Sequence, residues 1–219
     1  MAKSDHKKRE PRIGPKKLSP QLWKGMRVGL LGGSFNPPHA GHAHASEVAK
    51  KYLGLDAVWW LVSPGNPLKN NSGLPDLELR IESCNELNSD PRVIISGIEK
   101  EFGTRRSLDT IAALKKYFPQ TEFVWLAGTD ISFEIHRWHR WKSLVSELPL
   151  AFIGRPTKSG LVRKNAIRNL PLKHMVPSHG IKPLLKAGTV FWLFAEPLNS
   201  LSSTLLREKP WFAPKRRKV

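Results

Sequence analysis

The stretch Val28 to His42, VGLLGGSFNPPHAGH, constrains this chain more than any other. Its apolar opening, Val28 to Leu31, has buried-strand character, and the cluster Gly32, Gly33, Asn36, Pro37 and Pro38 cannot continue a regular element. Beyond it, Ala43, Ala45, Val48, Ala49 and Leu53 recur at helical spacing, with Gly54 placed to stop the helix. The pattern predicts a strand, a tight loop and a helix. Glycines let backbone N–H groups approach an anion closely, and a helix start adds unpaired donors and the positive end of its dipole. His39 and His42 lie three apart at this helix start, which is expected to be exposed, so both can face one ligand.

Three other sites fit these residues poorly. No GKS or GKT follows the glycines, as a P-loop requires, and Gly29, Gly32 and Gly33 lack the GxGxxG spacing of a dinucleotide fingerprint. Zinc could use His39, His42 and His44, but HExxH is absent and the sole cysteine, Cys84, is distant. GSFNPPHAGH instead carries in full the S/T-F-x-P-x-H-x-G-H signature. In this it resembles the nucleotidyltransferase superfamily, which joins a phosphate or phosphonate nucleophile to a nucleoside triphosphate.

With 219 residues, 40% of them hydrophobic, the chain suits one α/β domain with a substantial core. One cysteine excludes an internal disulfide framework, and no apolar run approaches the ~20 residues of a membrane span. The start, MAKSDHKKREPRIGPKK, is basic without a following apolar segment, unlike a secretory signal, so a cytoplasmic location is expected. The net charge of +18 is unevenly placed: it sits in residues 1–26, 155–186 and 207–219, while 27–154 carry equal numbers of acids and bases. The expected organisation is a basic N-terminal extension (1–26), a nucleotidyltransferase domain (27–207) and a basic C-terminal tail (208–219). Solvated tails and weak polyanion attraction both account for the charge; nothing in it supplies sequence-specific nucleic-acid readout.

Further strands are expected at Asp56–Ser63, Val93–Ser96, Glu122–Ala127, Leu150–Ile153 and Thr189–Phe194, each apolar and closed by breakers. Strand, helix, strand at the start implies a right-handed parallel crossover. Leu77 to Leu87 is expected to be a helix with Leu79, Cys84 and Leu87 on its buried side. A second carries Thr110, Ile111, Leu114 and Phe118, capped by Ser107 or Asp109, and a third spans ISFEIHRWHRWKSL. No motif stands out in 155–186. At the far end, SSTLLR places hydroxyls and backbone donors at a helix start with Arg207 one turn on, a set suited to phosphate oxygens.

These pieces together resemble the nicotinate-nucleotide adenylyltransferases. SSTLLR is similar to the ISSTxIR motif of the superfamily, and NPLK to the family's PPHK-like loop, which implies that Lys69 meets substrate phosphate rather than only solvent. RRSLDT is similar to SYTxDTL, a turn facing the nicotinate carboxylate, with Arg106 in place of tyrosine and Ser107 in place of threonine. GTD implies that Asp130 holds the ribose, a role compatible with a helix cap. W-x-x-W implies that Trp138 stacks on the pyridine ring while Trp141 packs; core packing of both is the competing account.

The resemblance covers about Met26 to Arg207 and implies a Rossmann-like parallel sheet flanked by helices in a single domain. It implies adenylyl transfer from ATP to nicotinate mononucleotide, releasing pyrophosphate, in NAD synthesis. His39, His42 and Arg207 would be catalytic. Gly33, Ser34, Phe35, Asp130, Ser202, Ser203 and Thr204 would join them around ATP, and Asn36, Lys69, Ser107, Asp109 and Trp138 would hold the mononucleotide. Mg²⁺ would arrive with ATP and keep several waters, without a protein metal site. Nicotinamide mononucleotide or another phosphate acceptor is the rival substrate, and a basic nucleic-acid-associated protein on the same fold is the rival class.

Overall fold

The computed structural model describes residues 18–65, 71–154, 165–194 and 203–207. Seven strands make one sheet: β1 (Arg27–Gly33), β2 (Ala57–Val62), β3 (Val93–Ser96), β4 (Glu122–Gly128), β5 (Leu150–Ile153), β6 (Lys173–Met175) and β7 (Thr189–Leu193). Every pairing is parallel, in the order β3-β2-β1-β4-β5-β7-β6. The chain steps outward from β1 to β3, then returns past β1 to β4. Connections therefore leave β1 and β4 on opposite sides and open a crevice at their carboxyl ends.

Parallel strands covered on both faces can be apolar at every position, and β2, AVWWLV, is buried throughout. Its side chains alternate: Trp59 and Leu61 enter one core, Val58, Trp60 and Val62 the other. On the Trp60 face lie α1 (Ala40–Leu53) and α2 (Leu77–Leu87), contributing Val48, Ala49, Leu53, Leu77 and Cys84. On the Trp59 face lie α3 (Ile98–Phe102), α4 (Ser107–Tyr117), α5 (Ile131–Glu134) and α6 (Trp141–Glu147), contributing Ile98, Ile111, Leu114, the partly buried Ile131 and Leu144. The short helix α7 (Ser203–Arg207) closes the described chain.

Several elements depart from expectation. Residues 18–26 belong to the domain rather than to a loose extension: Leu18 is 2% exposed in the core, and Trp23 packs edge-on against Trp59 at 5.0 Å. Thr121 also donates to the Trp23 carbonyl at 2.7 Å. In α2, Leu79 and Leu87 are exposed and the buried face is Leu77, Arg80 and Cys84. Ala43 faces solvent on α1, while Gly54 ends that helix in the left-handed conformation, φ 59°, as expected. ISFEIHRWHRWKSL is not one helix: after α5 comes a tight turn, Ile135–Arg137, then extended Trp138, and Arg140 at φ 49° before α6 begins. The 155–186 segment contributes the edge strand β6, too short and polar to stand out in the sequence.

Candidate active site

The loop between β1 and α1 is built on Phe35. Its φ of 47° is costly for a bulky residue, and burial of the ring compensates: Phe35 is 1% exposed and stacks on Trp60 at 5.2 Å. The Phe35 side chain, expected beside ATP, is packed in the core. Gly32 also serves packing, since a Cβ there would stand 2.9 Å from the Trp125 ring. Gly33 ends β1, where its carbonyl accepts from Ser63 N–H at 2.9 Å.

Arg80, invisible as a site element in the sequence, clamps this loop. It is 3% exposed, and its guanidinium donates to the carbonyls of Ser34 at 2.8 Å, Ser63 at 2.8 Å and Pro75 at 2.9 Å. One planar cation thus ties the ends of β1 and β2 to the start of α2. The clue was a charge at the position that completes the Leu77 and Cys84 stripe.

His39 is the N-cap of α1 and is 4% exposed, so this helix start is not the open one expected. Its Nδ1 accepts from Gly41 N–H at 3.1 Å, while His42 Nδ1 accepts from His39 N–H at 3.2 Å, a reciprocal capping box made by two imidazoles. A ring nitrogen that accepts an N–H carries no proton, so each imidazole carries its hydrogen on Nε2. The rings lie 3.9 Å apart, and His42 is further held against Phe35 at 4.6 Å. Cap and packing together orient two Nε2–H donors beside the first turn of α1, where its dipole favours anions.

The second signature returns to the first. Ser203 Oγ donates to the Pro37 carbonyl at 2.8 Å, and Arg207 donates to the Asn36 carbonyl. Segments far apart in sequence thus meet at the loop that carries the histidines. Asp130 is exposed at the carboxyl end of β4; it sits at the N-cap of α5 with no side-chain cap hydrogen bond. Trp138 is half-buried, edge-on to Trp125 at 6.2 Å, the same ring that covers Gly32. Ser107 and Asp109 do not cap α4, whose N-cap is Arg106; they lie in its first turn, half-buried and exposed respectively. Lys69 and Ser202 fall outside the described residues, as does the Thr204 side chain. Cys84 is buried, and burial pushes its thiol up to about 12, which disfavours the reactive thiolate at neutral pH.

Residues 30–209 match the cytidylyltransferase-like family model. The chain is 42% identical to a probable nicotinate-nucleotide adenylyltransferase of Parvibaculum lavamentivorans, over 86% of this chain and 94% of that protein. It is 40% identical to the probable nicotinate-nucleotide adenylyltransferase of Agrobacterium fabrum, over 83% and 98%. Its fold is similar to that of Plasmodium falciparum nicotinic acid mononucleotide adenylyltransferase complexed with NaAD, with a TM-score of 0.62 at 15% identity, covering 83% of this chain and 82% of that one. The chain belongs to the nicotinate-nucleotide adenylyltransferase family, within the cytidylyltransferase-like proteins.

Proposed function

We propose that this protein transfers the adenylyl group of ATP to nicotinate mononucleotide in the cytoplasm, forming nicotinate adenine dinucleotide and pyrophosphate. The observation that carries the reading is the junction of Ser203 and Arg207 with the Asn36 and Pro37 carbonyls, beside the His39 and His42 pair. A mononucleotide 5′-phosphate oxygen attacks the α-phosphorus of ATP. The bond from that phosphorus to the bridging oxygen breaks, and pyrophosphate leaves with the electron pair. No protein nucleophile is required, so the chain's task is in-line positioning and charge stabilisation.

In this reading, the two Nε2–H groups donate to triphosphate oxygens whose charge grows as the leaving group departs. Ser202, Ser203, Thr204 and Arg207 hold the pyrophosphate end, and backbone N–H groups of Gly33, Ser34 and Phe35 line the path to the α-phosphate. Asp130 takes the adenosine ribose. Asn36, Lys69, Ser107, Asp109 and Trp138 take the mononucleotide, its ring lying on Trp138. Among the described residues no group of three or more His, Cys, Asp or Glu is arranged to hold a metal. Mg²⁺ would be carried by the phosphates of ATP, where it would neutralise charge on the departing pyrophosphate.

The test separates capping from catalysis. Asparagine at position 39 or 42 keeps an acceptor where Nδ1 stands but removes the Nε2–H donor. His39→Asn and His42→Asn should each lower kcat by about 10² to 10³ in protein that remains folded at the assay temperature. Near-normal turnover in both variants would overturn the assigned role.

A further inference from the structure

Glu99 is a buried carboxylate that adenylyl transfer as described above does not use. It sits on α3, is 6% exposed, and no ion pair among the described residues includes it. Its neighbours are hydroxyls and backbone. Thr110 Oγ1, itself fully buried, lies 3.1 Å from Glu99 Oε1, 2.9 Å from Thr104 Oγ1 and 3.2 Å from the Arg106 carbonyl. The Glu99 carbonyl accepts from Thr104 N–H at 2.9 Å. Glu99 and Thr110 therefore grip both ends of the turn Thr104–Ser107, the segment read above as facing the nicotinate carboxylate.

Proton counting gives this cluster two states. Thr110 has one hydroxyl proton and two acceptors besides Thr104. With Glu99 ionised, that proton is committed to Oε1 and leaves the Arg106 carbonyl with only the α4 backbone bond from Thr110 N–H. With Glu99 protonated, its own O–H donates to Thr110, whose hydroxyl then turns to the Arg106 carbonyl and fastens the turn. The ionised form also sets a negative charge behind donors meant for an anionic substrate.

We propose that Glu99 is a positioning residue for the mononucleotide turn, acting through Thr110 as a proton-dependent latch on Arg106. The proposal rests on the reading of that turn as the nicotinate contact. Burial raises the Glu99 carboxyl to about 7, so both of its forms are populated near neutral pH. The charged groups nearest to it along α3, the turn and the first turn of α4 are Lys100, Glu101, Arg105, Arg106 and Asp109; all are exposed, and Lys100 is paired with Glu78 at 2.6 Å. None displaces desolvation as the dominant influence.

The experiment measures kcat and KM for nicotinate mononucleotide and for ATP between pH 6 and 8, in the unmodified protein and in Glu99→Gln. Glutamine mimics the protonated carboxyl, with an acceptor and a donor but no charge. The KM for the mononucleotide should rise several-fold with pH in the unmodified protein relative to Glu99→Gln, which should stay near the low-pH value, while kcat and the ATP KM follow the same profile in both. Because the substrate phosphate titrates in both proteins, only their difference is read. Thr110→Val, which cannot relay the proton, should abolish that difference. Parallel KM profiles in the two active proteins would overturn the latch. Absence of dinucleotide formation in the unmodified protein would instead overturn the proposed function.

Discussion

Replacing Arg80 by methionine keeps most of the side chain's volume and removes its three hydrogen bonds to the carbonyls of Ser34, Ser63 and Pro75. Each bond from a charged donor contributes about 1.5 to 3 kcal/mol, but the bonds share one guanidinium whose burial is itself costly and lowers its pKa. A net loss of about 3 kcal/mol is the expected balance. For a domain of this size that corresponds to a fall in melting temperature of about 6 to 12 °C. The second readout is kinetic: at 25 °C, where the variant remains folded, kcat should fall because the Ser34 carbonyl no longer fixes the β1–α1 loop that orients His39 and His42. Arg80→Lys, which restores a cation with fewer directed donors, should lie between the two. An Arg80→Met protein with unchanged melting temperature and unchanged kcat would refute the clamp.

Gly32→Val should destabilise by about 1 to 3 kcal/mol in thermal or urea unfolding, because its Cβ meets the Trp125 ring at 2.9 Å; an unaltered midpoint would show that Trp125 yields freely. Glu99 gives stability a sign that carboxylates rarely give. With its native pKa raised to about 7 from 4.5, the folded state holds the extra proton, so stability falls by about 3 kcal/mol as pH rises between those values and is flat above. Urea midpoints of Glu99→Gln should lack that fall; equal slopes in both proteins would contradict it. Cys84 should resist a thiol reagent at pH 8 in the native protein and react on unfolding, and rapid native labelling would contradict its burial.

The parts of the fold that the sequence revealed are those whose physics is local. Val93–Ser96 and Leu150–Ile153 are continuous apolar runs bounded by breakers, and both strands have the expected limits. The buried face of α2 differs from the expected one because Leu79 and Leu87 are apolar yet exposed, while the buried place between Leu77 and Cys84 belongs to an arginine whose partners lie on other segments. The break between Trp138 and Trp141 comes from left-handed Arg140, a conformation that no residue type announces there. Basic composition hid the packing of Leu18 and Trp23. For the site, the spacing of His39 and His42 was legible. The burial of His39 and the mutual capping of the pair were not, since both depend on how the chain turns from β1 into α1. Glu99 carries no signal in the sequence because its neighbours Thr104 and Thr110 are brought to it only by the packing of α3 on α4.

The central claim is most directly tested by incubating the purified protein with ATP and Mg²⁺ and either nicotinate or nicotinamide mononucleotide, following pyrophosphate and dinucleotide together. A site that holds the pyridine ring on Trp138 gains similar stacking from both substrates, so discrimination falls to donors placed for the carboxylate at the Arg106 and Ser107 turn. The account predicts one pyrophosphate per dinucleotide formed and a higher kcat/KM for nicotinate mononucleotide. Equal values, a preference for the amide, or pyrophosphate released without dinucleotide would contradict it.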